Sequence, residues 1–143
     1  MSNPTFSLGE LTRKAGKPVE KFRLVKETEG KIEHAGAEDF PFGVITEAAA
    51  PQTGPEDNVL AHGLPEIVRV GTTQRVVNIA TDDVITAGAV VYAAADGKVS
   101  DQGSIKVGIA DRAVKNGLVR VHLFHPSIFA PTAGSPAPTP AEN

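Results

Sequence analysis

The sequence predicts an all-β protein, a small barrel or sandwich, carrying an extended N-terminal arm and a Pro-rich C-terminal tail. Three observations predict it. Short apolar stretches recur roughly every 8 to 12 residues, with period-two alternation and little helical patterning. Strong turn dipeptides, Asp96-Gly97 and Asn116-Gly117, fall between them. The chain is 41% hydrophobic but only 5% aromatic, without Trp, so its core is built from Val, Ile, Leu and Ala, the aliphatic set that fits pleated surfaces.

Residues 1–19 are polar and interrupted by Pro4, Gly9, Gly16 and Pro18. Ser7 with Glu10 three residues on resembles a helix-capping pair, but Gly9 weakens that reading and an extended arm is preferred. The β domain is expected over 20–125. "EKFRLVKE" alternates apolar Phe22 and Leu24 with charged Lys21 and Arg23, the pattern of a half-buried strand. "EGK" supplies a turn, and "FGVITEA" after Pro41 is a second short strand. "AAAPQTGPEDN", residues 48–58, is a loop by every turn signal. "GLPEIVRVG" and "QRVVNIAT" read as strands, the second running into Asp82-Asp83. "AGAVVYAAADGKVSD" reads as a hairpin turning at Asp96-Gly97, and "IKVGIADRA" and "GLVRVHLF" complete the set around "KNG". Past His125 the composition changes to Pro, Ala, Ser and Thr. Residues 126–143 form a tail that cannot build a core, with Ile128 and Phe129 as its anchors.

Two segments, 21–70 and 87–124, run through a similar order of residue types. Gly30-Lys31-Ile32 lines up with Gly97-Lys98-Val99, and Gly43-Val44-Ile45 with Gly108-Ile109-Ala110; the 48–58 loop is an insertion in the first copy. Apolar residues and turn glycines recur while charged residues do not. A repeated scaffold behaves this way, whereas a repeated catalytic site would repeat its polar groups. The reading is an internal duplication.

At 143 residues the chain suits one domain with a real core. With no Cys there is neither a disulfide nor a thiolate metal site. A net charge of −3 argues against a general nucleic-acid binder, which needs a basic face to release counterions. No apolar run approaches a membrane span, and the N-terminus lacks the apolar segment of a secretion signal, so a soluble cytoplasmic product is expected.

No catalytic, cofactor-binding or metal-ligating set emerges. His122 and His125, three apart in a strand, point to opposite faces, and His34 and His62 fall in loops without an evident partner. Asp82, Asp83, Asp96 and Asp101 lack the spacing of a calcium loop and read as turn formers. Ser104 lies between turn glycines with no His nearby, and "GSIKVG" lacks the strand-to-helix context of a phosphate cradle. Arg69, Arg75, Arg112 and Arg120 are placed in strands, where they would line one face and pair with carboxylates across a subunit boundary.

The second half resembles the capsid decoration, or cement, proteins of tailed bacteriophages. The resemblance is carried by Ala87-Gly88, Val90-Val91, Gly97-Lys98-Val99, Gly108-Ile109-Ala110, Ala113 and Gly117 through Val121, with a weaker echo over residues 21–70. It implies a β-tulip-like body that binds the outer surface of an assembled head, commonly as a homotrimer at three-fold or quasi-three-fold positions. The implied partners are the major capsid protein and further copies of the chain, without direct contact to nucleic acid or membrane and without a cofactor. The implied location is the virion exterior after synthesis in the host cytoplasm. On this reading the arm binds the shell through Pro4, Phe6, Leu8 and Leu11, and Ile128 and Phe129 of the tail pack on an adjacent subunit. Two alternatives are weighed against it. A trimeric β-fold enzyme, such as a small nucleotide hydrolase, would need clustered acids and a Gly/Ser motif, for which Asp82, Asp83 and Ser104 are poor substitutes. A carbohydrate-binding module would need stacking aromatics.

Overall fold

In a computed structural model, which describes residues 10–51, 63–72 and 74–123, nearly all regular structure is β, as expected for the fold class. The described strands are β1 Glu10–Ala15, β2 Arg23–Thr28, β3 Lys31–His34, β4 Gly43–Ile45, β5 Ile67–Gly71, β6 Arg75–Ala80, β7 Val90–Ala93, β8 Val99–Ser100, β9 Lys106–Ala110 and β10 Leu118–Leu123.

Local turn chemistry sets the hairpins. Glu29-Gly30 (φ 52° and 80°), Asp96-Gly97 (58° and 71°) and Asn116-Gly117 (56° and 74°) each place two consecutive residues in the left-handed region. That backbone twist matches the twist of paired strands. Thr28 and Lys31 close directly over the first of these turns, and Lys115 and Leu118 over the last.

The first five strands close into a barrel in the order β1-β3-β2-β4-β5, all antiparallel except the parallel β1–β3 seam, where Ala15 pairs with Ile32. The remaining strands form a sheet ordered β6-β10-β9-β7-β8. Read from its other edge, β8-β7-β9-β10-β6 repeats the barrel order β3-β2-β4-β5-β1. A single parallel bridge, Thr81 to Val99, stands where the barrel has its seam.

Two apolar clusters follow from the alternation of side chains along strands. Val25, Ile32, Ile45, Val68 and Val70 fill the barrel with Ala15, Val19 and Ala49. Leu24 and Val44, on the opposite faces of β2 and β4, join Ile79, Ile85, Val91, Val107, Val119 and Val121 in the second cluster. The start of β2 is therefore covered on both faces, with Leu24 and Val25 both at 0% exposure, and is not the half-buried strand expected from its charged neighbours. Its outer face is roofed by the second unit. Hydrogen bonds fasten the two units: the Ala80 N–H donates to Phe22 O (2.9 Å), the Gly97 N–H to Ala35 O (2.7 Å) and Arg23 Nη1 to Asp96 O (2.8 Å).

Part of the expected arm is strand. Glu10–Ala15 pairs along β5 from Glu10–Gly71 to Lys14–Ile67. The periodicity was hidden because the inward positions of β1 are Leu11, Arg13 and Ala15, only one of them large and apolar. Arg13 is tolerated there because its guanidinium lies 5.1 Å from the Phe42 ring centroid and binds Glu27 at 2.7 Å. Residues 1–9 lie outside the described residues. At the far end of the fold, Arg75 pairs across strands with Leu123 and sits 3.4 Å from the Glu10 carboxylate.

Candidate interaction surfaces

The polar residues singled out in the sequence are spread over the surface and engaged locally. His34 ends β3 rather than lying in a loop, and its Nε2 accepts the Glu20 backbone N–H at 2.9 Å. Burial, reinforced by the Arg23 charge, pushes its pKa below the usual imidazole value and favours the neutral ring that this bond requires. His122, on β10, has its Nε2 3.1 Å from the Gln74 side-chain nitrogen; His62 and His125 lie outside the described residues. Lys98 binds Asp82 at 2.8 Å, while the Ser100 hydroxyl donates to Asp83, whose own N–H donates to Thr81 Oγ1 at 3.1 Å. Ser104 donates to Glu38 at 3.3 Å, from the second unit to the barrel. Among the described residues no three His, Cys, Asp or Glu side chains come together as a metal-ligand group.

Three of the four arginines also find partners inside the chain. Arg69 and Arg75 both reach Glu10, at 3.7 and 3.4 Å, and Arg120 pairs with Asp111. Arg112 is not in a strand; it is exposed in the bend after β9. A further ionic cluster on the barrel links Lys17, Glu33, Lys26 and Asp39. The bond from the Gly36 N–H, then Lys26, holds Asp39 below the usual carboxylate range; Lys17 does the same for Glu33; and Asp39 raises Lys26.

Two surface features have the character of contact sites. The first is a row across the outer face of the second sheet, where Val76, His122, Ile109 and Val90 stand directly opposite one another on β6, β10, β9 and β7. Val76, Ile109 and Val90 are 56%, 40% and 38% exposed. Side chains paired this way share one face, so the row is continuous across about 14 Å of sheet. The next row holds Asn78, Arg120 and Asp111, and so carries both charge signs.

The second feature is an open groove of about 670 Å³ where the units meet, lined in part by Phe22, Ala48, Ala80 and Leu118. Phe22 lies outside β2, with φ at 60°, a left-handed conformation that bulky side chains rarely adopt. Sequence reasoning missed both features. The doubled Val76-Val77 was a signal for the row, since alternation turns one of the pair away from the core of its own unit.

Leu11 lies in the barrel wall, opposite Val70 and on the same inward face, and is half-buried. Pro4, Phe6 and Leu8, and Ile128 and Phe129 of the tail, lie outside the described residues, as does most of the 48–58 loop. At its described start, Ala49 bridges Val19, and the Ala50 N–H donates to Pro65 O at 3.0 Å.

No family model matches the sequence, and no curated protein matches it. A solved structure does: the head fiber gp8.5 N base in bacteriophage phi29 superposes with a TM-score of 0.61 at 17% identity, covering 80% of this chain and 92% of that one. At that identity the likeness is one of fold, and it covers most of both chains.

Proposed function

We propose that the chain is a structural protein of a tailed-phage head, seated on the outer surface of the assembled capsid. The likeness to the base of a head fiber, over most of both chains, is the observation that carries this reading. The resemblance of residues 82–123 to capsid decoration proteins points the same way.

In this role the β body bridges neighbouring major capsid subunits and reinforces the shell against internal DNA pressure. Each contact is modest, but many copies on a closed shell sum their interface energies, because a ligand that binds only the assembled state stabilises that state. The arm adds an extended segment to a capsid strand through Pro4, Phe6 and Leu8. Leu11, held in the barrel wall, fixes where the arm departs. The subunits associate as a homotrimer, with Ile128 and Phe129 packing on an adjacent copy. The two units descend from one duplicated ancestor, a reading supported by their shared strand order.

The test is co-sedimentation with purified expanded heads, using the full chain and a variant lacking residues 1–9. Saturable binding of the full chain, and its loss on deletion with circular dichroism unchanged, is the expected result. A full chain that stays in the supernatant at all concentrations refutes the reading. Equal binding by both removes the arm from it.

A further inference from the structure

Three bonds that fasten the two units converge on one side chain. His34 Nε2 accepts the Glu20 N–H at 2.9 Å and so pins the segment from Glu20 to Phe22 that leads into β2. At the end of that segment the Ala80 N–H of the second unit donates to Phe22 O, and the next residue, Arg23, donates to Asp96 O. On the other side, the Gly97 N–H donates to Ala35 O, one residue along from His34. Each of these cross-unit bonds is thus made beside His34 or by the segment that it pins. Phe22 shows how firmly that segment is held. Its N–H donates to Ile45 O within the barrel while its carbonyl serves the second unit, and its φ of 60° is one a bulky residue keeps only where its surroundings impose it.

The charges around the ring decide what a proton does there. Glu20, Arg23, Asp96 and Lys98 line the same groove as His34. Arg23 pairs with Glu20, and Lys98 with Asp82 at 2.8 Å. Arg23 Nε is buried without a partner among the described residues, so the guanidinium is already under-satisfied before a second cation arrives beside it. Glu33, next to His34 in β3, points to the opposite face of the strand, where Lys17 and Lys26 engage it. Burial and the Arg23 charge outweigh the pull of Glu20 and Asp96 and keep the ring neutral.

We infer that His34 is an acid-sensitive latch on the boundary between the units: as a neutral acceptor it holds the Glu20 segment against the boundary, and as a cation it releases it. An imidazolium has no lone pair for the Glu20 N–H. Its charge also stands beside the bond from Arg23 to Asp96 O. Once released at Glu20, Phe22 can leave the left-handed region and withdraw its carbonyl from Ala80. The closed form resists the proton and the open form takes it at the ordinary imidazole value of about 6.5, so the latch is whole above that pH and weakens as the pH falls below it. The side-chain links Arg75–Glu10 and Ser104–Glu38 contain none of these groups and keep the units joined. The latch is a property of the chain by itself and stands apart from the proposed seat on the capsid.

An amide NMR titration of the full-length chain from about pH 8 to about pH 5, spanning the ordinary imidazole value, tests it. The Ala80 and Gly97 amide protons, which donate across the boundary, are expected to shift upfield as those bonds open, with a midpoint shared by the His34 ring resonance. Gly16, which donates to Ile32 O inside the barrel, and Ala110, which donates to Ala89 O inside the second unit, are expected to stay in place. His34→Gln, whose amide oxygen accepts an N–H but takes no proton, is expected to abolish the Ala80 and Gly97 shifts. Stationary Ala80 and Gly97 resonances, equal shifts at all four amides, shifts that persist in His34→Gln, or a midpoint that departs from that of the ring overturns the inference. The midpoint comparison needs only the wild-type chain and decides the matter even if the variant does not fold.

Discussion

Replacing Gly43 by Ala should destabilise the protein, against the usual direction for a glycine in a strand. Gly43 does not have a left-handed φ. At such a position Ala normally gains about 0.5–1 kcal/mol, because it narrows the unfolded ensemble. Here a Cβ would stand 2.5 Å from Gly71 O and 2.6 Å from Val70 Cγ1, where ordinary contact begins at 3.4 Å. Relief requires β4 and β5 to separate by about 0.9 Å, well up the repulsive wall. Neither strand can yield easily, since Val44, Ile45 and Val70 are at most 2% exposed and lie in both clusters. Overpacking of this kind costs about 1–3 kcal/mol. For a chain of this size that lowers the thermal midpoint by about 4–10 °C. Gly108, at the matching position of β9, would place its Cβ 2.9 Å from Val121 Cγ1 and closer still to His122 O, so Gly108→Ala should behave alike. Gly30→Ala separates the causes: φ is +80° and no atom lies within 4 Å, so only backbone strain of about 1 kcal/mol applies. Urea unfolding at pH 7 is the assay. Midpoints unchanged or raised in both Gly43→Ala and Gly108→Ala would refute the close approach of the paired strands.

Phe22→Gly should be more stable than Phe22→Ala by about 1 kcal/mol, reversing the normal order, because both lose the ring but only Gly is at ease at φ 60°; denaturant midpoints of the pair decide it. Thr81→Val should cost about 1–2 kcal/mol and Thr81→Ser much less, since the buried hydroxyl donates to Val99 O at 2.7 Å and accepts the Asp83 N–H. Stability should fall as pH drops below about 6.5, where an unfolded imidazole takes a proton that folded His34 resists. His34→Gln should flatten that slope while leaving the separate loss at lower pH, where the depressed carboxyls of Asp39 and Glu33 titrate. Unfolding free energies between pH 8 and pH 3 distinguish the two windows.

What could be read in advance was whatever is decided locally. Asp96-Gly97 and Asn116-Gly117 turn because the residues themselves tolerate left-handed backbone, and β5 to β10 follow alternation visible within each stretch. Strand β1 was not legible because its stability is borrowed from β5, and an inward Arg13 contradicts the pattern unless Phe42 and Glu27 are already in place. The same limit hid the surface row. Val90-Val91 and Leu24-Val25 look alike as text, yet the outward member is exposed in one and sealed in the other, according to what docks above it. The strained Phe22 was read as a strand residue because φ leaves no trace in composition.

Arg75 touches both Glu10 and the strand pair ending at Leu123, so the described chain enters and leaves at one pole. Cargo attached at Glu10 and cargo attached at Leu123 would therefore emerge side by side. Joining Leu123 to Glu10 through a short linker, in place of the segments beyond them, and reopening the polypeptide at Asn116-Gly117 should yield a permuted version with the body intact.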